Sequence, residues 1–324
     1  MDLIPFKYGI IPDWQSAVDN MSLSPSPLSG PEYFATMRIS WGNTYIYRQG
    51  DTIIPLAKSL TTHSKIMSSD LYTGARFNSI MGADKIDPLA VNSLNEICRG
   101  CYIKLHIPEE TYISNEDMLL DAGYVTEDIY NYYKISLPES YEEWFESPKI
   151  CRPNIIRARA SGLSTAIGGI ELLEYFYDLY MKSFARWKSK HRTKHHHEIE
   201  RYRRMFELPG SKTKIMVAYL EGWPVAAAIF CYYRNTAGAF AAGMDYEYQK
   251  LRPADFVQSE IIRFLIAAGV KEYNMGGQLG SKSLDIFKKK LGAKVYRSYL
   301  IGRHRFPQLK KIFGGFQPQQ KSHS

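Results

Sequence analysis

The residues best equipped for chemistry lie in two basic stretches. The first is 274–294, NMGGQLGSKSLDIFKKKLGAK. Gly276 and Gly277 let the backbone turn sharply or lie flat against a ligand. Ser281 or Ser283 can cap the helix that follows, and Leu284, Phe287 and Leu291 give it an apolar face. Gly292 stands where a left-handed C-terminal cap belongs. Lys288, Lys289 and Lys290 fan around that helix and cannot share one direction. One of them is expected to face the space left by the glycine corner. The second stretch is 186–204, RWKSKHRTKHHHEIERYRR. Arg186, Lys188, Lys190, Arg192 and Lys194 surround Trp187, a pattern that suits phosphates of RNA or of a nucleotide-linked substrate as well as a solvated charged face.

Metal chemistry is not expected. Consecutive side chains on a helix point about 100° apart, so His195, His196 and His197 cannot jointly chelate, and no HExxH is present. Cys98 and Cys101 form one CxxC without a second pair to complete a zinc site. They read as a helix end and a strand start, with reduced thiols and a cytoplasmic location as the default.

The chain has 324 residues, 45% of them apolar and 23% charged, enough for a full core in two domains of ordinary size or one large one. Its net charge of +8 favours an acidic partner. No basic region followed by an apolar run opens the chain, and no apolar run is long enough to span a bilayer.

Strands are expected at 33–39, 44–48 and 52–57 and a helix from Asp87-Pro88 to Gly100, with an aspartate cap before a proline at the first helical position. A strand at 101–106, a helix at 115–122 capped by Ser114, and a long aromatic-rich strand at 124–137 complete the first half. A helix at 139–145 and a basic helix carrying Arg152, Arg157 and Arg159 open the second. There the pattern predicts two helices, the hairpin 214–220/225–233, a strand at 237–244, a helix after Arg252-Pro253, a strand at 272–275, the helix of the first stretch, and a strand at 294–302. The halves share punctuation: Gly100 and Gly123 are separated by the same interval as Gly269 and Gly292. The hairpins YIYRQGDTIIPLA and VAYLEGWPVAAAI also compare. Two copies of one α/β (α+β) unit follow, each a mixed, mainly antiparallel sheet flanked by helices. We expect divisions at 1–140, 141–316 and a tail at 317–324. The first copy lacks the double glycine and the lysines, so the second is expected to carry the site.

The order of elements in residues 165–302 resembles the GNAT acyltransferase fold, and two such units in tandem resemble the FemABX group. ISLPESYEEWFESPKICRPNIIRARASGL is similar to the family's strand, helix and arginine-rich opening of the second unit. RPADFVQSEIIRFLIAAGVKEYNMGG is similar to its helix, glycine, strand and double-glycine run, and SLDIFKKKLGAK to its FK-containing helix. The resemblance implies an acyl donor lying in a notch between two splayed strands, here 237–244 and 272–275, lined by Gly243, Gly276 and Gly277. It implies that Lys288 contacts the reacting end of the substrates, with Phe287 packing beneath. Asp245 stands where it could take a proton, orient the amine, or turn the loop. The family's glycine-rich pyrophosphate loop is replaced by QKLRPAD. Gln249 fits its first position, and Arg252 and Ala254 stand where glycines would be.

The resemblance thus implies an acyltransferase without a tightly bound cofactor or metal. Acyl-CoA or aminoacyl-tRNA would be the co-substrate, and an amine of a small molecule or cell-envelope precursor the acceptor. The alternative is a non-catalytic RNA-binding or assembly protein that keeps the fold.

Overall fold

A computed structural model describes residues 2–5, 44–49, 52–58, 66–68, 86–98, 102–147, 150, 152–189, 198–207, 211–277 and 281–303. The strand expected at 33–39, the histidine run, Lys190, Arg192 and Lys194, Cys101 and the C-terminal tail lie outside them.

The described strands are β1 (Asp2–Pro5), β2 (Thr44–Gln49), β3 (Thr52–Lys58), β4 (Ile66–Ser68), β5 (Tyr102–Pro108), β6 (Val125–Ser136), β7 (Ser164–Gly168), β8 (Thr213–Leu220), β9 (Trp223–Tyr233), β10 (Thr236–Met244), β11 (Glu272–Gly277) and β12 (Lys294–Arg303). The helices are α1 (Pro88–Ile97), α2 (Glu109–Ile113), α3 (Glu116–Asp121), α4 (Tyr141–Glu146), α5 (Arg152–Ala160), α6 (Leu173–Ser189), α7 (Ile199–Phe206), α8 (Pro253–Ala267) and α9 (Lys282–Lys289). All described strands join one sheet in the order β1-β2-β3-β4-β5-β12-β6-β11-β10-β9-β8-β7. Pairing is antiparallel except at β4–β5 and β10–β11.

Those two parallel joints mark the internal repeat. In each half an antiparallel run (β2-β3-β4, then β8-β9-β10) meets the next strand in parallel. The halves also exchange their last strands. β12 inserts between β5 and β6, and β6 between β12 and β11. The sheet therefore runs unbroken across residue 140.

Local chemistry explains most boundaries. Asp87 caps α1, its Oδ1 accepting the Leu89 N–H at 2.9 Å, and Ser140 caps α4 by accepting the Glu143 N–H at 3.1 Å. We expect Asp87→Ala to cost about 1 kcal/mol in urea unfolding, the usual worth of such a cap. Glu221 and Gly222 both have positive φ, 49° and 83°, so β8 and β9 join through a two-residue turn, tighter than the four-residue one expected. Ser114 does not cap α3. Ser114 instead ends α2, a short helix the pattern did not predict, its hydroxyl donating to the Glu110 carbonyl in that helix's first turn, and Asn115 precedes α3. β7 was likewise not anticipated, because its serine, threonine and glycine content reads as loop.

Alternation along the strands sends side chains to two faces. One face packs Tyr133, Ile135, Met216, Ala228, Phe230, Tyr273 and Met275 under α4, α5 and α8, and Ile103, Leu105 and Ile107 under α1. The opposite face of β8 and β9 packs Ile215, Val217, Ala227 and Ile229 under α6 and α7. No described helix is long and apolar enough to cross a membrane, which says nothing of a β-barrel.

Candidate active site

β10 and β11 pair only over Thr236–Gly238 and Glu272–Asn274. Beyond that they part. β10 bulges between Ala239 and Ala241 against β9, while β11 shifts register against β6 between Asn274 and Gly277. The result is the splayed pair that the family resemblance implies. Gly276 makes the corner with φ of 70°, a conformation that disfavours a side chain. The buried Asn274 holds it, its Oδ1 accepting the Gly276 N–H at 2.8 Å. The sequence reading missed Asn274. Its signal was an asparagine two residues before a glycine, a common turn device.

Lys288 closes the other side of the corner. Leu284, Phe287, Lys288 and Leu291 follow the i, i+3, i+4, i+7 spacing, so the lysine shares the apolar stripe of α9. It is buried, with 5% exposure, while Lys289 and Lys290 are exposed. Its Nζ donates to the carbonyls of Met275, Gly276 and Gly277 at 2.5, 3.0 and 2.6 Å. It also lies 5.3 Å from the centroid of the Tyr133 ring. Burial pushes the amine down to about 7. The three carbonyls act against that shift, because only the ammonium has three protons to donate. With all three engaged, Lys288 acts here on the backbone of the corner. Beneath it the Tyr133 hydroxyl donates to Asp285 Oδ1 at 2.6 Å, and Phe287 packs against the main core. The Tyr133 hydrogen bond, then that of Lys289, holds the Asp285 carboxyl below its ordinary value.

The side-chain position of Gly243 faces α6. A Cβ there would lie 2.3 Å from the Tyr180 nitrogen and 2.5 Å from the Leu179 carbonyl carbon. This glycine lets α6 lie against β10, and the close packing of helix on strand is what requires it. Asp245 caps the 3-10 turn Tyr246–Leu251 through the Glu247 N–H and pairs with Lys182 at 2.5 Å. Burial raises its carboxyl, but the Lys182 ammonium and the Glu247 amide outweigh that and hold it below the usual range. A carboxylate so held is a weak base.

Gln249 and Arg252 flank the start of α8. The Arg252 N–H donates to the Gln249 carbonyl, and Arg252 adopts a left-handed φ of 61°. Pro253 opens the helix without an N–H. In the same first turn lies the buried Asp255, whose Oδ1 accepts from Asn154 Nδ2 at 3.1 Å. Burial pushes its carboxyl up. The place of a pyrophosphate loop thus holds the chain's own carboxyl group. Of the basic cluster, Arg186 stacks over the Tyr246 ring at 3.5 Å, and Lys188 is exposed. No described group of residues could hold a metal ion, and the thiols of Cys98 and Cys231 are buried and outside any disulfide.

A parallel pair that splays beside a helix N-terminus, with a second parallel joint after an antiparallel run in the first half, defines a GNAT-type fold. Residues 151–289 match the family model described as an acetyltransferase (GNAT) domain, which supports an acyltransferase at that coarse level. The chain is similar in structure to FemX, with a TM-score of 0.72 and 11% identity over 96% of this chain and 99% of that one. It is similar to L-PGS from Bacillus licheniformis, with a TM-score of 0.63 and 14% identity over 93% and 94% of the two chains. A tandem GNAT protein from the clavulanic acid biosynthesis pathway gives 0.54 and 9% over 93% and 97%. At these identities the likeness is one of fold. No curated protein sequence matches.

Proposed function

We propose that this protein is an acyltransferase of two GNAT-like units, 1–140 and 141–316, with a tail at 317–324 and the working site in the second unit. The observation that carries this reading is the splayed β10–β11 pair with its corner fixed by Lys288 and Asn274. Gly276 and Gly277 offer backbone along which a donor chain can lie. An acceptor amine attacks the donor's carbonyl carbon, a C–N bond forms, and the bond to the leaving oxygen or sulfur breaks. The nitrogen's proton leaves with that group. Lys288, Phe287, Gly276 and Gly277 form the donor side in this proposal. Arg186 and Lys188, with Lys190, Arg192 and Lys194, meet a polyanionic donor, and Gln249 and Arg252 border it. Asp245 orients the loop at the end of β10 and takes no proton. The acceptor is an amine of a small molecule or envelope precursor, and the setting is cytoplasmic.

The start of α8 favours aminoacyl-tRNA over acyl-CoA. A pyrophosphate would need the N–H groups of that first turn. Pro253 has none, and Asp255 places a carboxyl group there. Incubation with labelled aminoacyl-tRNA and labelled acyl-CoA, beside candidate amines, tests both donors. We expect amide product from aminoacyl-tRNA. Product from acyl-CoA alone would reverse the donor assignment, and none from either would overturn the enzyme.

One observation favours a second reading, a non-catalytic RNA-binding protein: all three N–H bonds of the Lys288 ammonium are taken by backbone. In that case neutralising Arg186 and Lys188 abolishes RNA binding, and no donor turns over.

A further inference from the structure

On the face that carries Tyr133 and Met275, the sheet is closed by α4, α5, α8 and α9. Paired residues share a face, which places Lys134 beside Asn274 and Tyr132 beside Gly277, both on the opposite face. Tyr296 is paired with Tyr132 there, and Glu272 lies two residues before Asn274 on the same side. The four side chains meet. The Lys134 ammonium lies 4.4 Å from the Tyr296 ring centroid and 5.9 Å from that of Tyr132, and 2.8 Å from Glu272 Oε2. The two rings are 5.8 Å apart.

Two aromatic rings and a carboxylate are the chemistry of an ammonium cage. We propose that Tyr132, Tyr296 and Glu272 form the binding site for the acceptor's primary alkylammonium group, with Lys134 holding its place in the free protein. The inference rests on the acyl-transfer reading for the word acceptor, but the cage stands on its own geometry. The Lys134 side chain is 20% exposed and that of Glu272 41%, so solvent reaches the ion pair. Such pairs are weak, and a lysine stem is flexible, so a ligand ammonium can displace it. The backbone of Lys134 pairs with Asn274, the residue that holds the glycine corner. Before attack the bound ammonium gives one proton to the Glu272 carboxylate that pairs with it, and the neutral amine is the nucleophile.

The test uses the full chain and n-pentylammonium chloride as the probe, read by saturation-transfer NMR. Lys134→Met empties the cage, and we expect it to bind the probe at least ten-fold more tightly than the wild type. Adding Glu272→Gln or Tyr296→Leu removes the gain. Lys134→Gln serves as a second emptied variant should the methionine disturb the fold, which circular dichroism checks. Emptied but folded variants that bind no more tightly than the wild type overturn the cage. The two readings fail separately. Probe binding without turnover of any donor leaves the cage and removes the acyl-transfer role. Donor turnover in Glu272→Gln with an unchanged amine KM removes the cage and leaves the enzyme.

Discussion

Replacing Lys288 by methionine is expected to cost about 2–4 kcal/mol of folding stability, because buried carbonyls left without donors cost about 1–3 kcal/mol each and removal of the buried charge returns part of that. The carbonyls are those of Met275, Gly276 and Gly277, all in the corner of β11. Turnover should fall by roughly a hundredfold or more, since small misplacement of a positioning element is enough for that loss. Urea unfolding and donor turnover measure the two effects. A stable variant with full turnover would remove Lys288 from the site.

The same lysine gives stability a pH dependence with a definite sign. Burial lowers its amine from 10.5 to about 7. Between those values the folded protein has released a proton that the unfolded chain retains. Wild-type stability should therefore rise from pH 7 towards 10.5 relative to Lys288→Met, by up to about 1.4 kcal/mol per pH unit for the single proton. Below pH 7 both states hold the proton and the difference is flat. A flat difference up to pH 10 would mean that the carbonyls keep the ammonium charged throughout.

Gly243→Ala should be the second large effect, a loss of about 3 kcal/mol, at the upper end for overpacking a tight contact. The added methyl would meet Tyr180 and Leu179 backbone, not a side chain that can turn aside. α6 must move off β10 as a unit, taking Phe176 and Leu179 from their core. Thermal unfolding reads this directly. If Gly243 instead lined the donor notch, the variant would keep its stability and lose donor affinity.

Much of this fold was legible because it depends on near neighbours. Asp87 and Ser140 cap helices through N–H groups two or three residues away. Gly123, Gly269 and Gly292 take the positive φ that their helix ends ask for. The spacing on α9 showed only that the three lysines cannot share one direction, and the family resemblance pointed to Lys288 among them. The punctuation shared by the halves also proved structural, in the matching parallel joints at β4–β5 and β10–β11.

What the chain's order did not determine depends on partners far away along it. Nothing local says that β12 must leave its own half and lie between β5 and β6; that follows from which strand edges remain unpaired once each half has formed. Gly243 reads the same whether a ligand or a helix lies against it, and only the path of α6 decides. Asp245 looks like a base until Lys182, brought close by α6, holds its proton off. The cage of Tyr132, Tyr296, Lys134 and Glu272 has no sequence pattern at all, because three strands contribute to it and register alone aligns them. The sequence by itself determined the elements, their ends and their repetition, through interactions within a few residues. The tertiary structure decided which groups face one another, because strand pairing and helix packing join segments whose separation in the chain carries no signal of contact.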